Sequence, residues 1–296
     1  TKSSGGNIWI DYKIMIVHTP TQTVWNREQN RTIPIVDEFD TSGAYTHGDG
    51  IRLTYASFIP ETKQNKTPLI IWLHGGGEGG TDPTIPLIAN KAYNYASPEI
   101  QKYFEGAAVL VPQTPTRWMH GVSSNYTRGQ EDDIYHKALM GLIQNFVKNN
   151  PSIDHDRIYL GGCSNGGYMT LKLLIENPDY FAAGYISSLA YHNEFVTESQ
   201  LLRLKNIPIW FVHAQDDAVT EADKTATPLF KRLKQLGNNN VYYSLFDHVI
   251  DISNQYGGKN YLYNGHWSWV YLHANQVFYD YDKSPVLRQG QVVTIL

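Results

Sequence analysis

The chain has 296 residues, 42% of them apolar, 18% charged and 13% aromatic, a composition that excludes a disordered or collagen-like protein and suits one substantial core. With 24 basic side chains against 28 acidic ones the net charge is −4, and no lysine or arginine run tracks a phosphate backbone, so no nucleic-acid partner is expected. No stretch approaches the roughly 18 apolar residues of a membrane helix, and the mean hydropathy is negative, so no membrane partner is expected either. The single cysteine, Cys163, excludes an intrachain disulfide and a multi-cysteine metal site. The chain opens on Thr1-Lys2-Ser3-Ser4 rather than methionine, which fits a mature product freed of a signal peptide or a trimmed segment, and export is the expectation.

In chain order, residues 8–18 and 51–59 are β-rich and partly alternating, the second preceded by the turn Gly48-Asp49-Gly50, and both predict antiparallel edge strands. Four short apolar runs at 69–73, 107–111, 158–160 and 209–212 predict strands buried on both faces, hence a parallel sheet. Residues 131–148 predict a helix with Ile134, Ala138, Leu142 and Phe146 on one stripe, an acidic start at Glu131-Asp132-Asp133 and a stop before Pro151. Further helices are predicted at 166–176, ended by Asn177-Pro178, and near 222–236, ended by Gly237, with a strand at 241–246. No repeat, low-complexity block or linker divides the chain. It reads as a single domain, 1–296, with an N-terminal arm and edge strand over 1–40 and a core over 41–296. Strands alternating with helices imply βαβ crossovers: an α/β protein, a three-layer α/β/α sandwich with a mostly parallel central sheet and antiparallel N-terminal edge strands. Its ligand site is expected at the carboxyl ends of the strands.

The strongest chemical signal is Gly162-Cys163-Ser164-Asn165-Gly166, between a predicted strand and a predicted helix. A strand, tight turn and helix force such a serine into a strained conformation at the sheet edge, and glycines on both sides remove the Cβ clashes of the turn. The pattern alone occurs by chance about 0.1 times in a chain of this length; its position between strand and helix gives it weight. A second glycine loop, His74-Gly75-Gly76-Gly77-Glu78-Gly79-Gly80, follows a buried strand. Its amides suit a developing oxyanion, and Gly76, Gly77 and Asn165 are the candidate donors. A phosphate loop is disfavoured, because G-x-x-x-x-G-K-[ST] is absent and no helix with a distant acidic residue follows.

A serine nucleophile needs a base, and the base an orienting carboxylate, in the chain order Ser, acid, His for this fold. Asp216 and Asp217 follow the strand at 209–212; Asp217 is preferred, with Asp216 as the alternative and a helix-capping role for the one not used. Among the later histidines, His266 in Asn264-Gly265-His266-Trp267-Ser268-Trp269 is the expected base, ahead of His248 and His273. His74 and His213, at strand ends, are expected to be hydrogen-bonded loop anchors. Trp118, in the loop 113–120, and Trp267 are the candidate substrate-binding aromatics, and Tyr256, Tyr261 and Tyr263 are candidates to line the same pocket. No H-E-x-x-H or comparable pattern occurs, so neither a metal nor another cofactor is expected.

These pieces together resemble an α/β-hydrolase of the esterase and prolyl-oligopeptidase-like branch, close to bacterial "predicted peptidase" esterases and to feruloyl, acetyl-xylan and polyhydroxybutyrate-depolymerase type enzymes. The resemblance spans roughly residues 40–280. It rests on His74-Gly75-Gly76-Gly77-Glu78-Gly79-Gly80-Thr81-Asp82, Val111-Pro112-Gln113, the 162–167 elbow, the 213–219 acid loop and Gly265-His266-Trp267-Ser268-Trp269. It implies Ser164 as nucleophile, Asp217 as acid and His266 as base in two-step acyl transfer. The implied substrate is a small-molecule or polysaccharide-linked ester, such as a feruloyl or acetyl ester. Cys163 departs from the more hydrophobic or aromatic residue expected in the elbow, and residues 1–40 match no part of the family. The alternatives are a prolyl-oligopeptidase-like peptidase and a non-catalytic binding protein on the same scaffold.

Overall fold

The computed structural model describes residues 12–18, 23–29, 33–61, 64–251 and 257–274. Strands β1 (Tyr12–His18) and β2 (Thr23–Gln29) form an antiparallel hairpin that is a two-stranded sheet of its own. The predicted edge strand at 8–18 therefore does not join the central sheet; residues 8–11 lie outside the described residues. Its ladder is taken up by β2, and the edge position it was expected to fill belongs to β3 (Asp40–Thr46).

The central sheet adds β4 (Arg52–Phe58), β5 (Thr67–Leu73), β6 (Ala108–Gln113), β7 (Ile153–Cys163), β8 (Ala183–Ser187), β9 (Ile209–Ala214) and β10 (Val241–Phe246). Its order is β10-β9-β8-β7-β5-β6-β4-β3. The six strands from β10 to β6 run parallel, and β4 and β3 close one side antiparallel. All seven residues of β5 are buried. Leu69, Ile71 and Leu73 enter one core and Ile70 and Trp72 the other, as a strand covered on both faces requires.

Helices α1 (Thr84–Ala89) and α2 (Pro98–Phe104) cover one face, joined there by α7 (Trp269–His273). Helices α3 (His136–Asn149), α4 (Asn165–Glu176), α5 (Glu198–Arg203) and α6 (Ala226–Gln235) cover the other. The result is the three-layer α/β/α sandwich. Along α3 the stripe Ala138, Leu139, Leu142, Ile143, Phe146 and Val147 is buried, each large member contributing about 1.5–3 kcal/mol of apolar burial. This helix begins five residues later than predicted. The Asp133 carboxylate accepts from the amides of Tyr135 at 2.9 Å and His136 at 2.8 Å, while Glu131 turns away to bind Ser123 and Ser124. The acidic run is thus spent on a turn and a cap in front of the helix.

Candidate active site

β7 ends at Cys163 and α4 begins at Asn165, so Ser164 occupies the single residue between them. Its backbone has φ 55° and ψ −113°, a sparsely populated conformation that costs on the order of 1–3 kcal/mol and needs the surroundings to enforce it. They do so through the Ser164 amide, which donates to Ser187 O at 3.0 Å, and the Ser164 carbonyl, which accepts from Tyr168 N at 3.0 Å. The turn also demands glycine: a Cβ on Gly166 would lie 2.0 Å from Leu73 O. The Ser164 hydroxyl forms no hydrogen bond among the described residues. In free enzymes such contacts are often long and tighten only with substrate bound.

Asp217 follows the end of β9, and its side chain is wholly buried. One carboxylate oxygen, Oδ1, accepts from the amides of Val219 and Thr220, both at 2.9 Å. The other, Oδ2, accepts from Thr220 Oγ1 at 2.8 Å, His266 Nδ1 at 2.9 Å and His213 Nε2 at 3.1 Å. Burial alone would raise its pKa, but the hydrogen bonds from His213 and His266 outweigh it and hold the carboxyl well below the usual carboxylate range. Asp216 instead pairs its Oδ2 with His248 Nδ1 at 2.8 Å, an exposed contact. The alternative acid is thus joined to a different histidine.

His266 is mostly buried, and its loop is stapled to the sheet by hydroxyls. Ser188 Oγ donates to His266 O at 2.6 Å, Ser268 Oγ donates to Val212 O at 3.1 Å, and Ser187 and Ser268 share a hydroxyl contact of 2.7 Å. Since Ser187 also receives the Ser164 amide, the end of β8 couples the His266 loop to the elbow. With Nδ1 bound to the carboxylate, Nε2 of His266 is the nitrogen left to exchange a proton with a nucleophile. Gly265 is needed here as well, because a Cβ would meet the backbone carbonyl of Asp216 at 2.8 Å.

The glycine loop sits at the end of β5. His74 is buried, its Nδ1 donates to Gly75 O at 2.6 Å and its Nε2 accepts from Thr114 N at 3.3 Å. Burial lowers this imidazole to about 4, so it is a neutral anchor, the role expected for it. Gly76 lies against Asn165, whose side-chain Nδ2 is 3.0 Å from where a Gly76 Cβ would be, whereas Gly77 has open space beside it. Two of the three candidate oxyanion donors are therefore neighbours, and the third is on the exposed turn. The loop is tied to the end of β6 by Gln113 Nε2, which donates to Glu78 O at 2.9 Å, and by Gly80 N, which donates to Thr114 O at 2.8 Å.

Trp118 is not where a pocket-lining residue would be. It is fully buried, packed 5.1 Å from the His74 ring and edge-on to Tyr135 at 6.4 Å; its large apolar area is used to fill the core behind the glycine loop. Trp267 is half-buried beside Tyr263 at 6.2 Å, which in turn meets the exposed Tyr261 at 5.2 Å. Tyr256 lies outside the described residues. Sequence reasoning passed over Thr220, Ser188 and Glu78. Thr220, three residues after Asp217, was the findable one, since Asp-x-x-Thr is the spacing of a side chain folding back on the following amides. Asp132, Asp133 and His136 lie close enough to share an ion, but Asp132 is already paired with the Lys172 ammonium at 2.6 Å and Asp133 is occupied by the amides of Tyr135 and His136.

Residues 55–251 match the family described as phospholipase/carboxylesterase. Over 126 residues the chain is 28% identical to a poly(3-hydroxybutyrate) depolymerase of Ralstonia pickettii, a stretch covering 42% of this chain and 25% of that protein. Among solved structures, a thermostable esterase superposes with a TM-score of 0.69 at 27% identity, covering 85% of this chain and 64% of the other. An acylaminoacyl peptidase of Pyrococcus horikoshii superposes at 0.50 and 20% identity over 83% of this chain and 43% of its own, a likeness of fold alone. The chain thus spans less than two thirds of each of these proteins. It belongs to the phospholipase/carboxylesterase family, within the α/β hydrolases.

Proposed function

We propose that this member of the phospholipase/carboxylesterase family is a serine carboxylic-ester hydrolase with Ser164 as nucleophile, His266 as general base and Asp217 as its orienting acid. The observation that carries the reading is the 2.9 Å bond from His266 Nδ1 to a buried, five-fold hydrogen-bonded Asp217, at the same sheet edge as the strained Ser164 turn. In the first step Ser164 Oγ attacks the ester carbonyl while His266 Nε2 takes its proton. The oxyanion is held by the amides of Asn165 and Gly76, with Gly77 the outer donor, and His266 returns the proton to the leaving alcohol. Water repeats the sequence on the acyl-enzyme, with His266 again as base.

For substrate we propose acyl esters of the feruloyl or acetyl class, free or on polysaccharides. The aromatic row Tyr261, Tyr263 and Trp267 beside the base offers flat apolar surface for a hydroxycinnamoyl ring. Hydrolysis of p-nitrophenyl acetate, butyrate and octanoate, methyl ferulate, acetylated xylan and a proline-containing peptide anilide, by wild type and Ser164→Ala, tests both parts. Ser164→Ala is expected to lower kcat by on the order of 10⁶ without unfolding the chain, and methyl ferulate or acetylated xylan to exceed the simple nitrophenyl esters. A folded, fully active Ser164→Ala protein removes the serine mechanism; turnover of the anilide alone makes the protein a peptidase.

A further inference from the structure

The glycine loop carries one acidic side chain, and the loop folds it inward. Glu78 is 7% exposed. Its Oε2 lies 3.0 Å from where a Cβ on Gly75 would be, and the same point is 3.8 Å from both Cys163 Sγ and Ser164 Cβ. The carboxyl group thus sits between the candidate oxyanion loop and the nucleophile elbow. Oε2 is sealed from solvent and has no hydrogen-bond partner among the described residues, an expensive arrangement for an ionised carboxylate. The surrounding groups supply no compensating charge. On the elbow side, Cys163 Sγ donates to Asn90 Oδ1 at 3.6 Å, and burial, then the nearby Glu78, push this thiol well up. From α1 comes the uncharged Asn90, from the end of β6 the uncharged Gln113, and within the loop His74, uncharged above about 4. Burial therefore pushes Glu78 up to about 7, against a smaller opposing pull from the nearby Glu78 and Gly75 amides and the Asn90 side chain.

We propose that Glu78 is a positioning residue of the oxyanion loop that serves in its protonated form, and that its ionisation switches acyl transfer down. The inference rests on the serine-hydrolase reading above. A neutral carboxyl fills the space behind Gly75 and leaves the Gly76 and Asn165 amides as the dominant field at the reacting carbonyl. An ionised one places negative charge beside a developing oxyanion in a poorly solvated layer, where like charges repel far more strongly than in water, and draws the Gly75 and Glu78 amides toward itself. The protonated state is thus the one in which the loop is arranged for catalysis.

The test is the pH profile of kcat on a soluble acetyl ester for wild type, Glu78→Gln and Ser164→Ala. The wild type is expected to lose about tenfold in kcat between pH 7 and pH 9, and Glu78→Gln, which cannot ionise, less than about twofold. Serine-dependent turnover with the same alkaline fall in both proteins, or with no fall in either, overturns this inference and leaves the serine reading standing. Full activity in Ser164→Ala overturns both. Carboxyl-carbon NMR of labelled glutamate in the Ser164→Ala protein, assigned by the resonance lost in Glu78→Gln, gives a measurement independent of turnover. A Glu78 titration near pH 7 is expected, and one in the ordinary carboxylate range overturns the proposal.

Discussion

His213 and His266 donate to the same oxygen of Asp217, from 3.1 Å and 2.9 Å. His213 is fully buried, and its Nε2 also meets Thr220 O at 2.7 Å. An imidazole nitrogen facing a carbonyl must carry the proton, so a single Nε2–H spans the carboxylate and the backbone of its own loop. The candidate acid is thereby held by two rings, one at the end of its own strand and one in the loop of the candidate base.

Removing that second ring should leave the carboxylate free to turn. His213→Ala is expected to lower kcat on p-nitrophenyl acetate by roughly 10–100-fold with KM little changed, the signature of lost positioning. His213→Gln, which can present an N–H at similar reach, should recover part of it. Wild-type kcat in His213→Ala would mean that Thr220 and the two loop amides hold Asp217 unaided.

His273 is a buried imidazole with neither nitrogen hydrogen-bonded among the described residues, packed edge-on against Trp72 at 4.4 Å. Burial, then the charge of Lys91, lower it to about 3. A base lowered on folding binds fewer protons folded than unfolded, so its contribution is present above about pH 6.5 and is lost as pH falls toward 3. His273→Leu should therefore raise stability by about 1 kcal/mol at pH 8, through removal of unpaired polar atoms, and by about 2 kcal/mol more at pH 5. Urea unfolding at the two pH values measures it; equal shifts at both would show the ring to be partnered or already charged.

Glu78 has the opposite sign. An acid raised on folding from 4.5 to about 7 binds more protons in the fold, so stability is full below about pH 4.5 and is lost as pH rises through 7. Glu78→Gln is expected to gain about 3 kcal/mol on wild type between pH 4.5 and pH 8, read from thermal or urea unfolding across that range. A pH-independent difference would place the carboxyl in contact with water or a cation.

At the elbow, Gly166→Ala puts a methyl group 2.0 Å from Leu73 O, a backbone atom of the central strand. The turn can absorb this only by moving, so we expect a loss of about 2–4 kcal/mol in stability and at least a hundredfold drop in kcat. Circular dichroism melts and the nitrophenyl assay check both. An unchanged melt would mean that the elbow relaxes without cost.

The sequence was most informative where backbone chemistry is restrictive. The glycines at 162 and 166 leave few conformations other than a tight turn around Ser164, and the apolar runs at 69–73 and 209–212 coincide with strands covered on both faces. The residues alone left Asp216 and Asp217 open, because adjacent carboxylates differ only in which way the loop turns them; here Asp217 meets His266 and Asp216 meets His248. β3 was passed over because its positions alternate between exposed and half-buried, without an apolar run to mark an edge strand. β8 was passed over because Ala183, Gly184 and Ser187 make it short and weakly hydrophobic. Trp118 was misplaced for another reason: a tryptophan in a loop carries no local sign of whether that loop folds over a pocket or into the core.

The sheet order has a consequence for how the molecule wears out. β7, which delivers Ser164, is paired on both sides, with β5 and with β8, so its amides should exchange with solvent only in openings close to global. Asp217 and His266 instead ride on loops beyond the strand ends, fastened by hydroxyl and imidazole contacts. Gentle heating should accordingly disengage the proposed proton-transfer partners first, leaving an intact elbow whose serine has lost its proposed base, and catalytic ageing should precede the loss of the fold.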